Sequence, residues 1–123
     1  MKKIFVMLIA GFAVISAKAQ LENTTWKATL QFDSPTDVYC VFGKDTSKVY
    51  LSQDSSLLET MIYSLKDSVV TFHKVHGQSG CDSSVIGSYN IVIKDDTLTY
   101  SLEDDDCDDR ASALDESQWT KVK

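Results

Sequence analysis

Hydrophobic residues recur at every second position through most of this chain, and that rhythm restricts it to extended strands with one buried face. Trp26, Ala28, Leu30 and Phe32 alternate with Lys27, Thr29 and Gln31, after which Ser34-Pro35-Thr36-Asp37 supplies turn-forming residues. Residues 38–42 read as a second strand, Gly43-Lys44-Asp45-Thr46 as a turn, residues 49–52 as a third strand and Gln53-Asp54-Ser55-Ser56 as its exit. Leu57, Leu58, Met61, Ile62 and Leu65 also fit a helical stripe. The Lys66-Asp67-Ser68 turn leads straight into residues 69–75, however, and a hairpin is the simpler arrangement, so residues 57–65 are taken as a strand. Residues 76–83 form a polar loop. Val85, Gly87, Tyr89, Ile91 and Ile93 alternate, Lys94-Asp95-Asp96 turns, and Leu98, Tyr100 and Leu102 return, making the clearest hairpin in the chain. An acidic loop over residues 103–109, one helical turn over 111–116 and a short strand over 119–122 complete the reading.

The count is eight short strands joined by tight turns, a pattern that suits an up-and-down barrel or a sandwich. Eight strands also make a closed barrel just wide enough to be filled by side chains or to hold one small ligand. Trp26, Phe32, Phe42, Phe72, Tyr89, Tyr100 and Trp119 all fall in strands, where they either fill such an interior or line a cavity in it. Ala28 and Gly87 lie on the same alternation as Trp26 and Tyr89 and are small enough to leave room. Both a packed and a hollow interior remain open at this level.

The N-terminus has the three parts of a secretory signal: basic Lys2 and Lys3, an apolar run over residues 4–15, and the small-residue triplet Ala17-Lys18-Ala19. This predicts a removed segment 1–19, cleavage between Ala19 and Gln20, and a single working domain over residues 20–123. The apolar run falls short of the roughly 20 residues a spanning helix needs, so no stable membrane insertion is expected. The first cysteine is Cys40, too late to carry a lipid anchor. Secretion or a periplasmic location follows. Loss of Lys2, Lys3 and Lys18 lowers the basic count from 12 to 9 while the acidic count stays at 18, taking the net charge from −6 to −9. Such a surface repels nucleic acid and anionic lipid.

An exported chain permits a disulfide. If the last hairpin turns at Asp95-Asp96, residues facing across it have numbers summing to about 191, which sets Cys107 near position 84. Cys81 lies three residues away in the polar loop. A Cys81–Cys107 bond would staple the base of that hairpin, with about 3–4 kcal/mol from loop closure. Cys40, between Val38 and Phe42, reads as a buried thiol.

Catalytic and metal signals are weak. His73, His76 and Cys81 invite zinc, but residues three apart on a strand face opposite sides and a bonded cysteine cannot ligate. Gly77-Gln78-Ser79-Gly80 is one residue short of a serine-hydrolase elbow and leads into a strand. Asp104, Asp106 and Asp108, with Asp115, fall at calcium-loop positions 1, 3, 5 and 12, but Asp109 stands where that loop needs glycine. A solvated acidic rim is the first reading of the run, with a calcium site of another design left open. Asn23-Thr24-Thr25 matches a glycosylation sequon. No cofactor, no metal and no enzymatic activity are expected.

Thr25-Trp26-Lys27, then Cys81, Gly87-Ser88-Tyr89 and Asp95-Asp96-Thr97-Leu98-Thr99-Tyr100, then Asp106-Cys107-Asp108-Asp109-Arg110 with Leu114 and a final Trp119-Thr120-Lys121, together resemble the small bacterial lipocalin-like proteins. The resemblance implies an eight-stranded antiparallel barrel, the Cys81–Cys107 bond, and Arg110 and Trp119 fastening the C-terminal segment against the first strand near Trp26. True lipocalins place Gly-x-Trp on that strand, and this chain has Asn23, Thr24 and Thr25 before Trp26. The expected fold is therefore an all-β, up-and-down barrel. Its expected function is to hold a small hydrophobic or amphipathic ligand in the interior against Trp26, Ala28, Leu30, Phe42, Phe72, Gly87, Tyr89 and Tyr100. A solid-core interaction protein, an inhibitor or envelope accessory factor acting through its acidic surface, is the alternative.

Overall fold

The computed structural model describes residues 17–123. Eight strands run β1 (Thr24–Gln31), β2 (Pro35–Phe42), β3 (Thr46–Leu51), β4 (Leu57–Lys66), β5 (Val69–Gly77), β6 (Gly87–Lys94), β7 (Thr97–Asp104) and β8 (Gln118–Val122). Each pairs antiparallel with its sequence neighbour, and β8 pairs with β1, so the sheet closes as an up-and-down barrel. Among the described residues two short helices cover its ends: α1 (Ala17–Leu21) precedes β1, and α2 (Asp108–Leu114) connects β7 to β8.

Alternation decides which residues face inward. In β1, Trp26 and Leu30 are buried while Lys27, Thr29 and Gln31 are turned outward, and in β2 Val38, Cys40 and Phe42 form the inward set. Cross-strand pairs lace the outer face, where Thr29 donates to Asp37 at 2.6 Å and the Ser64 and Thr71 hydroxyls lie 2.6 Å apart. Two hairpins turn on two-residue loops, Asp67-Ser68 and Asp95-Asp96. Asp67 and Asp95 each take a φ of 57°, which an aspartate tolerates better than most residues because its short side chain hydrogen-bonds locally.

The interior is an aromatic stack. Phe72, Tyr89, Tyr100 and Trp119 meet at centroid separations between 6.0 and 6.3 Å, and Phe42 meets Tyr63 edge-on at 5.1 Å. Leu21 of α1 is wholly buried against this core, and Lys18 lies 4.9 Å over the Tyr63 ring. Most of the signal expected over residues 1–19 lies outside the described residues. Its expected cleavage point, Ala19-Gln20, falls within α1, and Leu21 stays on the domain side of it.

Residues 57–65 form a strand. Their helical stripe arises from two register shifts, one against β3 that skips Leu58 and one against β5 that skips Val75, so Thr60 and Met61 are buried in succession.

Four expectations are corrected. Phe32 lies in the turn after β1 and is 48% exposed, because the alternation runs past the end of the strand. Pro35, Thr36 and Asp37 open β2 rather than forming a turn, since a proline is tolerated as a strand's first residue. Val85 precedes β6, and Leu102 belongs to β7 but is 40% exposed toward its end. The helix begins three residues earlier than expected and takes Asp108 and Asp109 into its first turn, where carboxylates suit the helix N-terminus.

Candidate functional site

A cavity of about 580 Å³ opens at the end of the barrel where β1 finishes, β4 begins and α2 crosses. Leu30 to Asp33 form one wall, Val49 of β3 with Leu58, Glu59 and Met61 of β4 another, and Gln78 and Ser79 contribute from the loop after β5. The α2 residues Asp109, Arg110, Ser112, Ala113 and Leu114 cover it, and Trp119 lines it from β8. Apolar side chains dominate the wall, and Asp33, Glu59, Asp109 and Arg110 bring charge.

The helix is held over this opening by a buried cluster. Arg110 donates from Nε to Asp105 Oδ2 at 2.7 Å and from Nη2 to Asp105 Oδ1 at 2.9 Å, a two-pronged contact that fits the planar guanidinium. Arg110 Nη2 also donates to the Val85 carbonyl at 3.1 Å. Asp105 further accepts from the Cys107 backbone N–H at 2.9 Å and from the Tyr89 hydroxyl. Burial alone would raise the Asp105 pKa, but the bonds from Arg110, Tyr89 and the Cys107 N–H outweigh it and hold the carboxyl below its ordinary value. The Tyr89 phenol is pushed well up, first by burial and then by the Asp105 carboxylate.

Gly87 makes room for this cluster. A Cβ there would lie 2.5 Å from Asp105 Cγ and 2.9 Å from Arg110 Nε, too close for either to stay. Beside it, Cys81 and Cys107 are joined, with Cα atoms 5.3 Å apart, tying the loop before β6 to the start of α2. Gly80 N–H donates to Asp109 at 2.7 Å and strengthens the same join. On the opposite wall, Glu59 accepts from the Ser79 hydroxyl at 2.5 Å and from its N–H at 3.2 Å.

The residues expected to meet a ligand separate into two groups. Leu30 lines the cavity, whereas Trp26, Phe42, Phe72, Tyr89 and Tyr100 are buried in the packed core. Ala28 packs against that core, and Gly87 accommodates the ion pair. Of the two fastening residues, Trp119 pairs with Leu98, and β8 then lies beside β1 at Trp26. The hydrogen bonds of Arg110 go to Asp105 and the Val85 carbonyl. Sequence reasoning missed Asp105, which nothing local distinguishes from its acidic neighbours, and also Val49, Leu58, Met61 and Ala113. The alternation marked inward positions but not their level along the barrel.

Cys40 is a buried free thiol, pushed up to about 12 by burial, with Ser47 Oγ at 3.2 Å opposing the shift. Among the described residues no three His, Cys, Asp or Glu side chains converge as a metal site. Asp104, Asp106 and Asp108 are exposed, and Asp105 among them is turned inward. Comparison with protein-family models, curated proteins and solved structures finds nothing that matches this chain.

Proposed function

We propose that this protein is an exported, non-catalytic, lipocalin-like barrel that binds a small apolar or amphipathic molecule in the cavity under α2. The observation that carries the reading is the cavity: about 580 Å³, lined largely by Leu30, Val49, Leu58, Met61, Leu114 and Trp119, and so of the size and character of small-molecule sites. Export is supported by the N-terminal pattern and by the Cys81–Cys107 bond, which persists in oxidising compartments. A non-catalytic role is supported by the thiols, since two are joined and the third is buried and strongly protonated.

Titration with the neutral probe N-phenylnaphthylamine tests this, read by probe emission and by quenching of Trp119. Saturable binding is expected. Ala113→Arg, which carries a long charged side chain into the space from a half-buried helix position, is expected to abolish binding while the barrel stays folded. No saturable binding by any apolar probe, or undiminished binding in the variant, would refute the reading. The acidic surface supports a second reading as a protein-interaction module, because Asp104 and Asp108 stand exposed beside the disulfide. Capture of a partner that is lost on neutralising Asp104 and Asp108 would favour it.

A further inference from the structure

The cavity under α2 has an apolar wall with an uncompensated negative charge. Asp33 from the turn after β1, Glu59 from β4 and Asp109 from α2 all line it, and no lysine does. Arg110 is the one cation of the wall, and its side chain is 4% exposed and held by Asp105 through Nε and Nη2. Among the described residues the ion pairs are Lys18–Glu22, Arg110–Asp105 and Lys123–Asp96, so none of the three wall carboxylates has a cationic partner. Their donors are neutral and leave the charge in place: Ser79 for Glu59 and the Gly80 N–H for Asp109. Lys74 is turned to the Ser79 carbonyl at 2.7 Å. Phe32, 48% exposed beside Asp33, adds an aromatic ring to the same wall, and the face of such a ring attracts a cation. Resting on the ligand-binding reading, we propose that the cavity takes a cationic amphipath, a hydrocarbon body with an ammonium head, and that the head lies among Asp33, Glu59 and Asp109.

Like charges around a concave apolar wall repel one another and focus a negative potential into the space between them. An ammonium head relieves that repulsion. A carboxylate or sulfate head would add to it, in a chain whose net charge is −6. A neutral head gains only the apolar contacts, which Leu30, Val49, Met61 and Leu114 offer to any hydrocarbon body alike. A bare metal ion gains nothing from those four side chains, and among the described residues no three His, Cys, Asp or Glu side chains converge to hold one. Both parts of the ligand thus have a counterpart in the wall.

The test is competition against N-phenylnaphthylamine on the intact protein with decylammonium, decanol and decanoate, at neutral pH, low salt and concentrations below micelle formation. Decylammonium is expected to displace the probe at concentrations about tenfold below decanol, the combined worth of partly exposed ion pairs, and decanoate to be the weakest of the three. Raising the salt to about 0.5 M should shrink the gap between decylammonium and decanol without weakening decanol. Asp33→Asn combined with Asp109→Asn is expected to bring decylammonium within about threefold of decanol. If the double variant does not fold, Asp33→Asn alone, on an exposed turn, should lose about twofold of the preference. Asp67→Asn, in the β4–β5 turn at the other end of the barrel, should leave the preference as it is, which separates the wall from the general acidity of the chain. Decanol or decanoate matching decylammonium, or a preference that survives the wall variants or falls equally in Asp67→Asn, overturns the cationic-ligand proposal and leaves the ligand-binding reading standing. Failure of the probe itself to bind overturns both.

Discussion

Asp105→Asn isolates the contact on which the position of α2 depends. The substitution keeps the side chain's shape and removes its charge, leaving the Arg110 guanidinium, with 4% of its side chain exposed, without a counter-ion. Breaking a buried pair from one side costs about 3–5 kcal/mol, because the remaining charge is neither solvated nor compensated. At about 4 °C per kcal/mol for a domain near 100 residues, the melting temperature should fall by about 12–20 °C. Differential scanning calorimetry at neutral pH measures this. Asp96→Asn serves as the control, since the Asp96–Lys123 pair at 2.6 Å lies on the surface with side chains 48% and 75% exposed, and no resolvable change is expected. Acid adds an independent check. The Asp105 carboxyl is held below its ordinary value, so its contribution is fully present above the unfolded value of about 3.9 and is lost as pH falls through the lower folded value. The gap between wild type and Asp105→Asn should therefore be constant above about pH 5 and shrink below about pH 4. A neutral-pH melting temperature within about 4 °C of wild type would show that the guanidinium finds water when the carboxylate is lost, and would refute the buried-clamp reasoning.

Gly87→Ala should destabilise by about 1–3 kcal/mol through forced displacement of Asp105 and Arg110, and chemical denaturation should register it as a lower midpoint with an unchanged slope. Replacing Cys81 and Cys107 together by serine should cost about 3 kcal/mol, seen as a fall in thermal midpoint that reducing agent reproduces in the wild type and does not deepen in the variant. Cys40, buried and pushed up to about 12, should resist iodoacetamide in the native protein at mildly alkaline pH and react as soon as denaturant unfolds the barrel. Rapid native labelling of Cys40 would show that the β2–β3 region opens locally.

How far the fold was legible follows from particular residues. The β6–β7 register, with Ile91 opposite Tyr100 and Tyr89 opposite Leu102, is the one the Asp95-Asp96 turn dictates, and residue spacing alone then brings the two cysteines near each other. Residues 57–65 were harder, because a bulge at Leu58 and another across from it at Val75 of β5 disturb the alternation and imitate a helix. The cavity was legible only in part. A period of two tells which face a side chain takes, but its height along a tilted barrel depends on where α2 lands. That in turn depends on Asp105, one acid among the six of residues 103–109. The aromatic residues with the strongest inward signal pack against one another, and the space lies beside aliphatic ones with a weaker signal.

The seam between β8 and β1 gives this chain an order of events. Thr25 meets Val122 and Lys27 meets Thr120, so the bonds that close the barrel join residues from opposite ends of the domain. Such distant pairing is slow to find, and until β8 is available β1 and β7 are both open edges able to pair with other chains. A ribosome-bound chain still lacking residues 118–122 has no route to the closed barrel. It remains an open meander, with two strand edges exposed to pairing until residues 118–122 arrive.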